Sequence, residues 1–383
     1  MKRLLMVTTI AETLRAFLLP FARHFRAKGW QVDAMAQGVS TSPECLEAFD
    51  KVWEIEWSRN PLDPRNFIAA PRVIKQVMDQ GKYDIVHVHT PVAAFVTRYA
   101  LNDLRKQGKC QVIYTAHGFH FHPGGKPLKN AIYLNLEKLA GRWTDYLVTI
   151  NREDELAAKR HHILPEDRIL YMPGIGVNLN YYNPEGVSEA EVARVRYELG
   201  ITQKNSLFLS IADFDPGKRH RDVLKAFAKL SRLDVHLAFA GDGPLLEEMQ
   251  QLALDLGIQN QVHFLGRRND IPLLTRASLA TILVSEREGL PRSVMESLSL
   301  EVPVIGTQIR GIQGLLEGGC GVLVEVGDIK GLSEAIAWVI EHPEEAKTMG
   351  KRGRKRMGAY DLQQIVKLHE ALYFKAINRY SNQ

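Results

Sequence analysis

The sequence predicts two α/β domains of similar size, each a parallel sheet wound with helices. Short runs rich in Val, Ile and Leu recur between longer amphipathic segments, the pattern of strands buried on both faces and joined by crossover helices. The order βαβαβ occurs twice along the chain. A length of 383 residues also exceeds what one hydrophobic core usually organises. The one marked shift in composition is the Pro/Gly/Asn-rich stretch YMPGIGVNLNYYNPEGVSEAE, from Tyr171 to about Glu191. It sets the expected boundary near residue 182, giving domains 1–182 and 183–361. A tail helix, 362–383, is free to pack against either, with the N-terminal domain the expected host.

In the first half the expected strands are RLLMVT, WQVDAMA, DIVHVHT, CQVIYTA and DYLVTI, with helices including LRAFLLPFARHFRAK and PLDPRNFIAAPRVIKQVMDQ between them. In the second half they are SLFLSIA, DVHLAFAG, QVHFLG, LATILVS, VPVIGT and GVLVEV. The tail offers Ile365, Leu368, Leu372, Phe374 and Ile377 for packing.

Composition narrows the functional classes. Cys45, Cys110 and Cys320 are far apart and form no C-x-x-C spacing, which argues against a disulfide framework or thiolate zinc site and for a reducing, cytoplasmic compartment. The opening MKRLLMVTTIAETLR is interrupted by Glu12 and Arg15 before it reaches the length of a signal core or membrane span. The net charge of +5 is concentrated in residues 1–182, which carry 24 Lys and Arg against 18 Asp and Glu; the remainder carries 25 against 26. Such an excess is either a solvated surface or one that meets anionic lipid or a phosphate-bearing acceptor, which makes the inner face of the cytoplasmic membrane a peripheral location to consider. Nucleic acid is not expected as a partner. No basic block is interleaved with stacking aromatics, and KRGRKR at Lys351–Arg356 stands alone.

In open α/β sheets, ligands collect at the carboxyl ends of the strands, where loops and helix N-termini present free N–H groups. The most informative such loop is SEREGLPRSVMESLSLEVPVIGT. LATILVS ends at Ser285, and Pro291 suits the first turn of a helix running through Leu298. Glu288 lies in the loop and Glu296 within the helix. A diphosphate between them would meet the helix N-terminus, and both carboxylates would accept hydrogen bonds from hydroxyls. The plain alternative is that two glutamates near a helix start only favour its dipole.

The segment EGLPRSVME resembles the E-x7-E signature of retaining glycosyltransferases of family 4, which have the GT-B architecture of two facing Rossmann-like domains with a cleft between them. AGDGP at Ala240–Pro244, FLGRRND at Phe264–Asp270, DIVHVHTP at Asp84–Pro91 and TAHG at Thr115–Gly118 agree in order and spacing, so the resemblance covers nearly the whole chain. YTAHGFHF followed by DYLVTINREDE is most similar to the branch that builds capsular and exopolysaccharides. The resemblance implies that Glu288 contacts the donor sugar's hydroxyls and Glu296 the ribose. It places Lys218, in SIADFDPGKRH, on the diphosphate, where a cation stabilises the charge gained by the departing group. It also places Gly241, Gly243, Arg267, Gly289, Leu290 and Pro291 around the donor nucleotide, and His117 near the reaction centre.

The sequence departs from the family at several positions. Asp213 stands where many relatives carry a second phosphate-facing arginine, so either Lys218 and the helix N-terminus do more of the neutralising or Arg267, Arg268 or Arg292 helps. Asp213-Phe214-Asp215 imitates a D-x-D metal motif but belongs to the wrong domain context, and no metal or other cofactor is expected. The Gly pair common after the first strand is absent, which leaves Thr8, Thr9 and neighbouring amides to approach a ligand. Gly174-Ile175-Gly176-Val177-Asn178 replaces the usual N-G-V-D and lacks its carboxylate. In TAHGFHFHPGG, His120 and His122 are read as acceptor-loop residues beside Thr9 and the Gly124-Gly125 turn, with satisfied structural histidines and a metal pair as the alternatives. At least one of His87 and His89 is expected to hydrogen-bond in support of the site.

The implied activity is retaining transfer of a hexose or N-acetylhexosamine from a nucleotide diphosphate sugar, with uridine inferred from the polysaccharide branch, to a glycan or polyprenyl-linked acceptor. A nucleotide-sugar epimerase or sugar-phosphate transferase of the same fold, or a catalytically silent sugar- or nucleotide-binding protein, are the alternatives.

Overall fold

The computed structural model describes residues 1–58, 63–122 and 124–381, with the backbone alone over 379–381. The expected helix start at Pro61–Leu62, Pro123 of the histidine loop and the last two residues of the tail lie outside the described residues. The chain divides into two units, Met1–Ile175 with Gln363–Gln383, and Gly176–Leu362. The break comes before residue 182 because the linker already belongs to the second unit: Val177 exchanges backbone hydrogen bonds with Tyr360 and Leu362, and Tyr182 packs in that unit's core.

Unit 1 is a seven-stranded parallel sheet of β1 (Arg3–Ile10), β2 (Gln31–Gln37), β3 (Lys51–Glu54), β4 (Ile85–His89), β5 (Gln111–Ala116), β6 (Tyr146–Thr149) and β7 (Ile169–Tyr171). Its order is β3-β2-β1-β4-β5-β6-β7. Unit 2 holds β8 (Ser206–Ile211), β9 (Val235–Ala240), β10 (Val262–Phe264), β11 (Ala280–Leu283), β12 (Val304–Thr307) and β13 (Gly321–Val324), in the order β10-β9-β8-β11-β12-β13. In each sheet the order reverses beside its first strand, β1 or β8. Loops diverge at such a switch point, leaving a crevice at the strands' carboxyl ends.

β4 and β5 are buried at every residue, as central strands covered on both faces must be. Leu5, Ile74, Val86, Val88 and Val112 are wholly removed from water in the unit 1 core, each burial contributing about 1.5–3 kcal/mol. Phe208, Phe239, Leu237 and Ile305 do the same in unit 2.

Two expected helices begin differently. Leu14–Leu18 and Arg65–Ala69 are π-turns ahead of the α-helices Leu19–Ala27 and Ala70–Gly81. Pro20 and Pro71 explain both: a proline ring displaces the carbonyl four residues back, and the preceding N–H, of Leu19 or Ala70, reaches five residues back instead.

The tail helix Leu362–Ser381 belongs to unit 1. Its buried face runs through Ile365, His369, Leu372, Tyr373 and Ala376, whereas Leu368 and Phe374 are exposed. Of the expected packing residues, Ile365 and Leu372 are buried, Ile377 is half-buried and Phe374 still meets the Trp30 ring edge-on, so apolarity alone misplaced Leu368 and missed His369, Tyr373 and Ala376. His369 packs edge-on against Phe21, and Tyr373 against Phe25 and Trp30.

Candidate active site

In unit 2 the loops at the carboxyl ends of β8, β9, β10 and β11 are laced together by their backbones. Phe214 N–H donates to Asp242 O (2.8 Å), Leu245 N–H to Phe214 O (3.1 Å), Gly241 N–H to Gly266 O (2.9 Å) and Glu286 N–H to Gly217 O (2.8 Å). Such close approach explains the glycines of AGDGP. A Cβ at Gly241 would lie 2.0 Å from Ala212 O, and one at Gly243, whose φ is +151°, would lie 2.7 Å from Phe214 N. Gly241→Ala is therefore expected to destabilise the protein by about 1–3 kcal/mol through backbone displacement, read as a shift in urea midpoint; an unchanged midpoint would show that the loops can part without cost.

This lacing brings Lys218 and Glu288 together. Lys218 closes the Pro216–Lys218 turn after β8, Glu288 sits in the loop after β11, and Nζ lies 2.6 Å from Oε1. Glu288 is mostly buried, its side chain 12% exposed against 29% for Lys218. Glu296 is placed separately, on the helix Arg292–Ser299. Its Oε1 accepts from Tyr182 Oη (2.7 Å) and from Arg292 (3.0 Å). Pro291 lies at the N-cap, one position ahead of the expected first turn, and the first intrahelical bond runs from Met295 N–H to Pro291 O. The amides before it lead the helix's positive end. Gly289 and Leu290, half-buried, complete that approach.

Arg267, Arg268 and Arg292 are the arginines offered by the sequence as alternatives to a larger share for Lys218 and the helix N-terminus. Arg268 is committed to Asp270 (2.8 and 2.5 Å) and Arg292 to Glu296, while Arg267 is exposed beside Gly266. Asp213 and Asp215 are exposed, but Phe214 between them is fully buried and stacks on His220 at 4.3 Å, so the D-x-D resemblance coincides with a core aromatic. Among the described residues no group of three or more His, Cys, Asp or Glu is placed to hold a metal ion.

Tyr182 was not singled out from the sequence, since a tyrosine in a Pro/Gly/Asn-rich stretch carries no period. Its position is secured by Arg354, whose guanidinium donates to the carbonyls of Tyr182 (2.8 Å), Ser299 (2.9 Å) and Leu179 (3.2 Å). Arg356 donates to Gly314 O and pairs with Glu317. Two cations of KRGRKR thus hold the fold.

In unit 1 the carboxyl ends of β1, β4 and β5 assemble a second cluster. Thr9 is tied to Thr90, which has the unusual φ of +64°. Thr90 Oγ1 donates to His89 O (2.5 Å) and accepts from Thr9 N–H (3.0 Å) and Thr9 Oγ1 (2.7 Å), using its proton and both lone pairs. Positive φ in a β-branched residue costs about 1–3 kcal/mol and clusters at functional sites. His117 Nε2 lies 3.1 Å from His89 Nδ1. Behind them, His87 bonds Tyr373 Oη (2.6 Å) and Thr115 Oγ1 (2.7 Å), and its ring lies 4.2 Å from that of His89. Burial, reinforced by the neighbouring imidazoles, holds His87 and His89 well below the ordinary histidine range and pushes His117 down to about 4. These rings are neutral hydrogen-bonding groups at physiological pH.

His120 and His122 alternate with Phe119 and Phe121, which are buried and stacked at 4.8 Å. His120 lies against the Tyr133 ring at 5.1 Å, and the His122 backbone is clamped by the Asn130 amide (3.3 and 2.7 Å).

Comparison with known proteins identifies the family and the fold. Residues 16–178 match the model described as Glycosyltransferase Family 4, and residues 192–356 the one described as Glycosyl transferases group 1. EpsD of Bacillus subtilis, a glycosyltransferase by name, is 35% identical over 92% of this chain and 91% of its own length. The UDP-Gal:alpha-D-GlcNAc-diphosphoundecaprenol alpha-1,3-galactosyltransferase of Escherichia coli is 27% identical over 73% of this chain and 71% of that protein. Among solved structures, Anabaena Alr3699/HepE in complex with UDP aligns with a TM-score of 0.79 at 20% identity, over 97% of this chain and 99% of the other. The fold class is thereby GT-B, as expected from the sequence.

Proposed function

The chain belongs to the glycosyltransferases of group 1 and family 4, and from that premise we propose that it transfers a hexose or N-acetylhexosamine, with retention and without a bound metal, from a UDP-sugar to a lipid-linked glycan acceptor in surface polysaccharide synthesis. The observation that carries this reading is the Lys218–Glu288 pair, which sets a cation against a sheltered carboxylate at the carboxyl ends of β8 and β11. In this reading the donor diphosphate competes with Glu288 for Lys218 and lies near the positive end of the Arg292–Ser299 helix. Glu288, so released, accepts from sugar hydroxyls, and Glu296, oriented by Tyr182 and Arg292, accepts from the ribose. Gly241, Gly243 and Arg267 border the nucleotide. The departing phosphate takes the proton of the incoming hydroxyl on the face it leaves.

His117 offers a neutral imidazole to the sugar, oriented by His89, while Thr9, His120 and His122 border the acceptor. Support for uridine and for a polyprenyl acceptor comes from the names of EpsD's fellow relative in E. coli and of the UDP-bound Anabaena protein. A lipid-linked acceptor also implies work at the cytoplasmic face of a membrane, from a peripheral position.

The test is calorimetric binding of UDP, GDP and ADP in chelator, followed by turnover of the matching sugar donors. UDP binding with transfer that survives chelator is the expected result. GDP or ADP preference would replace the donor, and transfer abolished by chelator would overturn the metal-free mechanism.

A further inference from the structure

One helix of unit 1 turns its apolar side outward. On Pro127–Gly141, Leu128 is 76% exposed, Ile132 51%, Leu136 40% and Leu139 41%. Spacings of four, four and three residues align them as one stripe along the helix. A helix packed for burial would turn that stripe inward.

The opposite side explains why it does not. Glu137, the helix's only acid, faces the domain, where it pairs with the buried Arg98 (3.4 Å) and accepts from Tyr114 Oη (3.2 Å). Arg98 in turn lies 4.0 Å over the Tyr114 ring. At the helix end, a Cβ on Gly141 would lie 2.2 Å from Ile163 O, so the backbones are in close contact. Together these contacts, with Leu134 packed against the unit 1 core, fix the rotation of the helix and hold Leu128, Ile132, Leu136 and Leu139 out.

The charges flanking the stripe have one sign. Lys126, Lys129, Lys138 and Arg142 are all exposed. At its C-terminal end the helix borders a groove of about 690 Å³, lined by Lys138, Arg142, His161, His162 and Arg168 with Glu166 among them.

We propose that this face docks on an anionic phospholipid bilayer, with Leu128, Ile132, Leu136 and Leu139 entering the acyl boundary and the flanking lysines and arginine meeting headgroup phosphates. Charge complementarity selects this occupant over a second copy of the chain. A two-fold contact along the stripe would set Lys129 and Lys138 near their own counterparts, whereas an anionic surface neutralises them. The docking deepens the lipid-linked acceptor reading and rests on it only for its purpose, because vesicle binding is measured with neither donor nor acceptor.

The test is sedimentation of the full chain with vesicles of phosphatidylcholine alone or mixed with phosphatidylglycerol, at low and high salt. The expected result is binding to the anionic vesicles that weakens with salt. The triple variant Leu128→Ser, Ile132→Ser, Leu136→Ser should bind roughly tenfold or more weakly, with unchanged circular dichroism and donor turnover. Lys129→Glu with Lys138→Glu, which leaves the apolar stripe intact, should lose the preference for phosphatidylglycerol and provides the readout if the triple variant fails to fold. Wild-type protein that stays in solution with anionic vesicles, or variants that bind like the wild type, would overturn the proposal. So would a wild-type dimer in sedimentation equilibrium that the triple variant converts to monomer, since a second copy would then be the occupant.

Discussion

Lys218→Ala is expected to cut donor turnover about 10²–10³-fold, the loss typical of removing one group that stabilises charge in the transition state. The variant also strips the mostly buried Glu288 of the cation 2.6 Å away, so donor affinity should change along with kcat. Glu288→Ala is expected to fall as far, because in the proposed reaction it loses the sugar contact and leaves the Lys218 ammonium without the carboxylate it donates to. Residues that act as one unit are not additive. The double variant should therefore lose little more than the worse single one. A complete kinetic cycle checks this: normal turnover in both single variants would reduce the pair to a structural ion bridge, and strictly multiplicative losses would separate their roles.

Acidification from pH 7 to pH 5 is expected to lower stability steeply, and unit 1 more than unit 2. Burial holds His369 and His220 down to about 4, and His117 likewise, whereas an unfolded histidine titrates near 6.5. The unfolded chain thus takes up protons first. The stabilising effect is complete above about pH 6.5 and is lost as pH falls toward 4, at about 1.4 kcal/mol per pH unit for each such residue. Unit 1 carries His87, His89, His117 and His369 in one cluster, while in unit 2 His220 packs against Phe214 and Phe239, and the stacked His236 and His263, also shifted down by burial, are only half-buried. Trp30, Trp53, Trp57 and Trp143 report on unit 1 and Trp338 on unit 2, so urea titrations of a Trp338→Phe variant followed by fluorescence at the two pH values read unit 1 selectively. His369→Leu should flatten the pH dependence. A midpoint that holds or rises on acidification would contradict the assignment.

The strands were legible because their composition and burial coincide: every expected strand exists, within a residue or two. β3 and β7 were not, since short edge strands lack a sustained apolar run. Glu288, Glu296 and Lys218 stood out through loop position and motif. Their partners did not. Tyr182 reaches Glu296 across 114 residues, and Tyr373 reaches His87 across 286, distances at which periodicity is silent. Leu128, Ile132, Leu136 and Leu139 illustrate a different limit: spacing shows that they share a stripe, but only contacts such as those of Glu137 and Gly141 decide which way it points. KRGRKR likewise reads as loose surface charge until Arg354 and Arg356 find their carbonyls.

The membership of Gln363–Gln383 in unit 1 makes unit 2 an insertion within it. On a ribosome, the β4 histidine must therefore wait for Tyr373, and Phe25 and Trp30 for their covering aromatic, until all of unit 2 has emerged. Domains usually mature in the order of their synthesis, but here the first to be started is the last to be finished. Until then its open apolar seam is a natural substrate for chaperones, and a stop codon just after unit 2 would release a chain whose first half never closes.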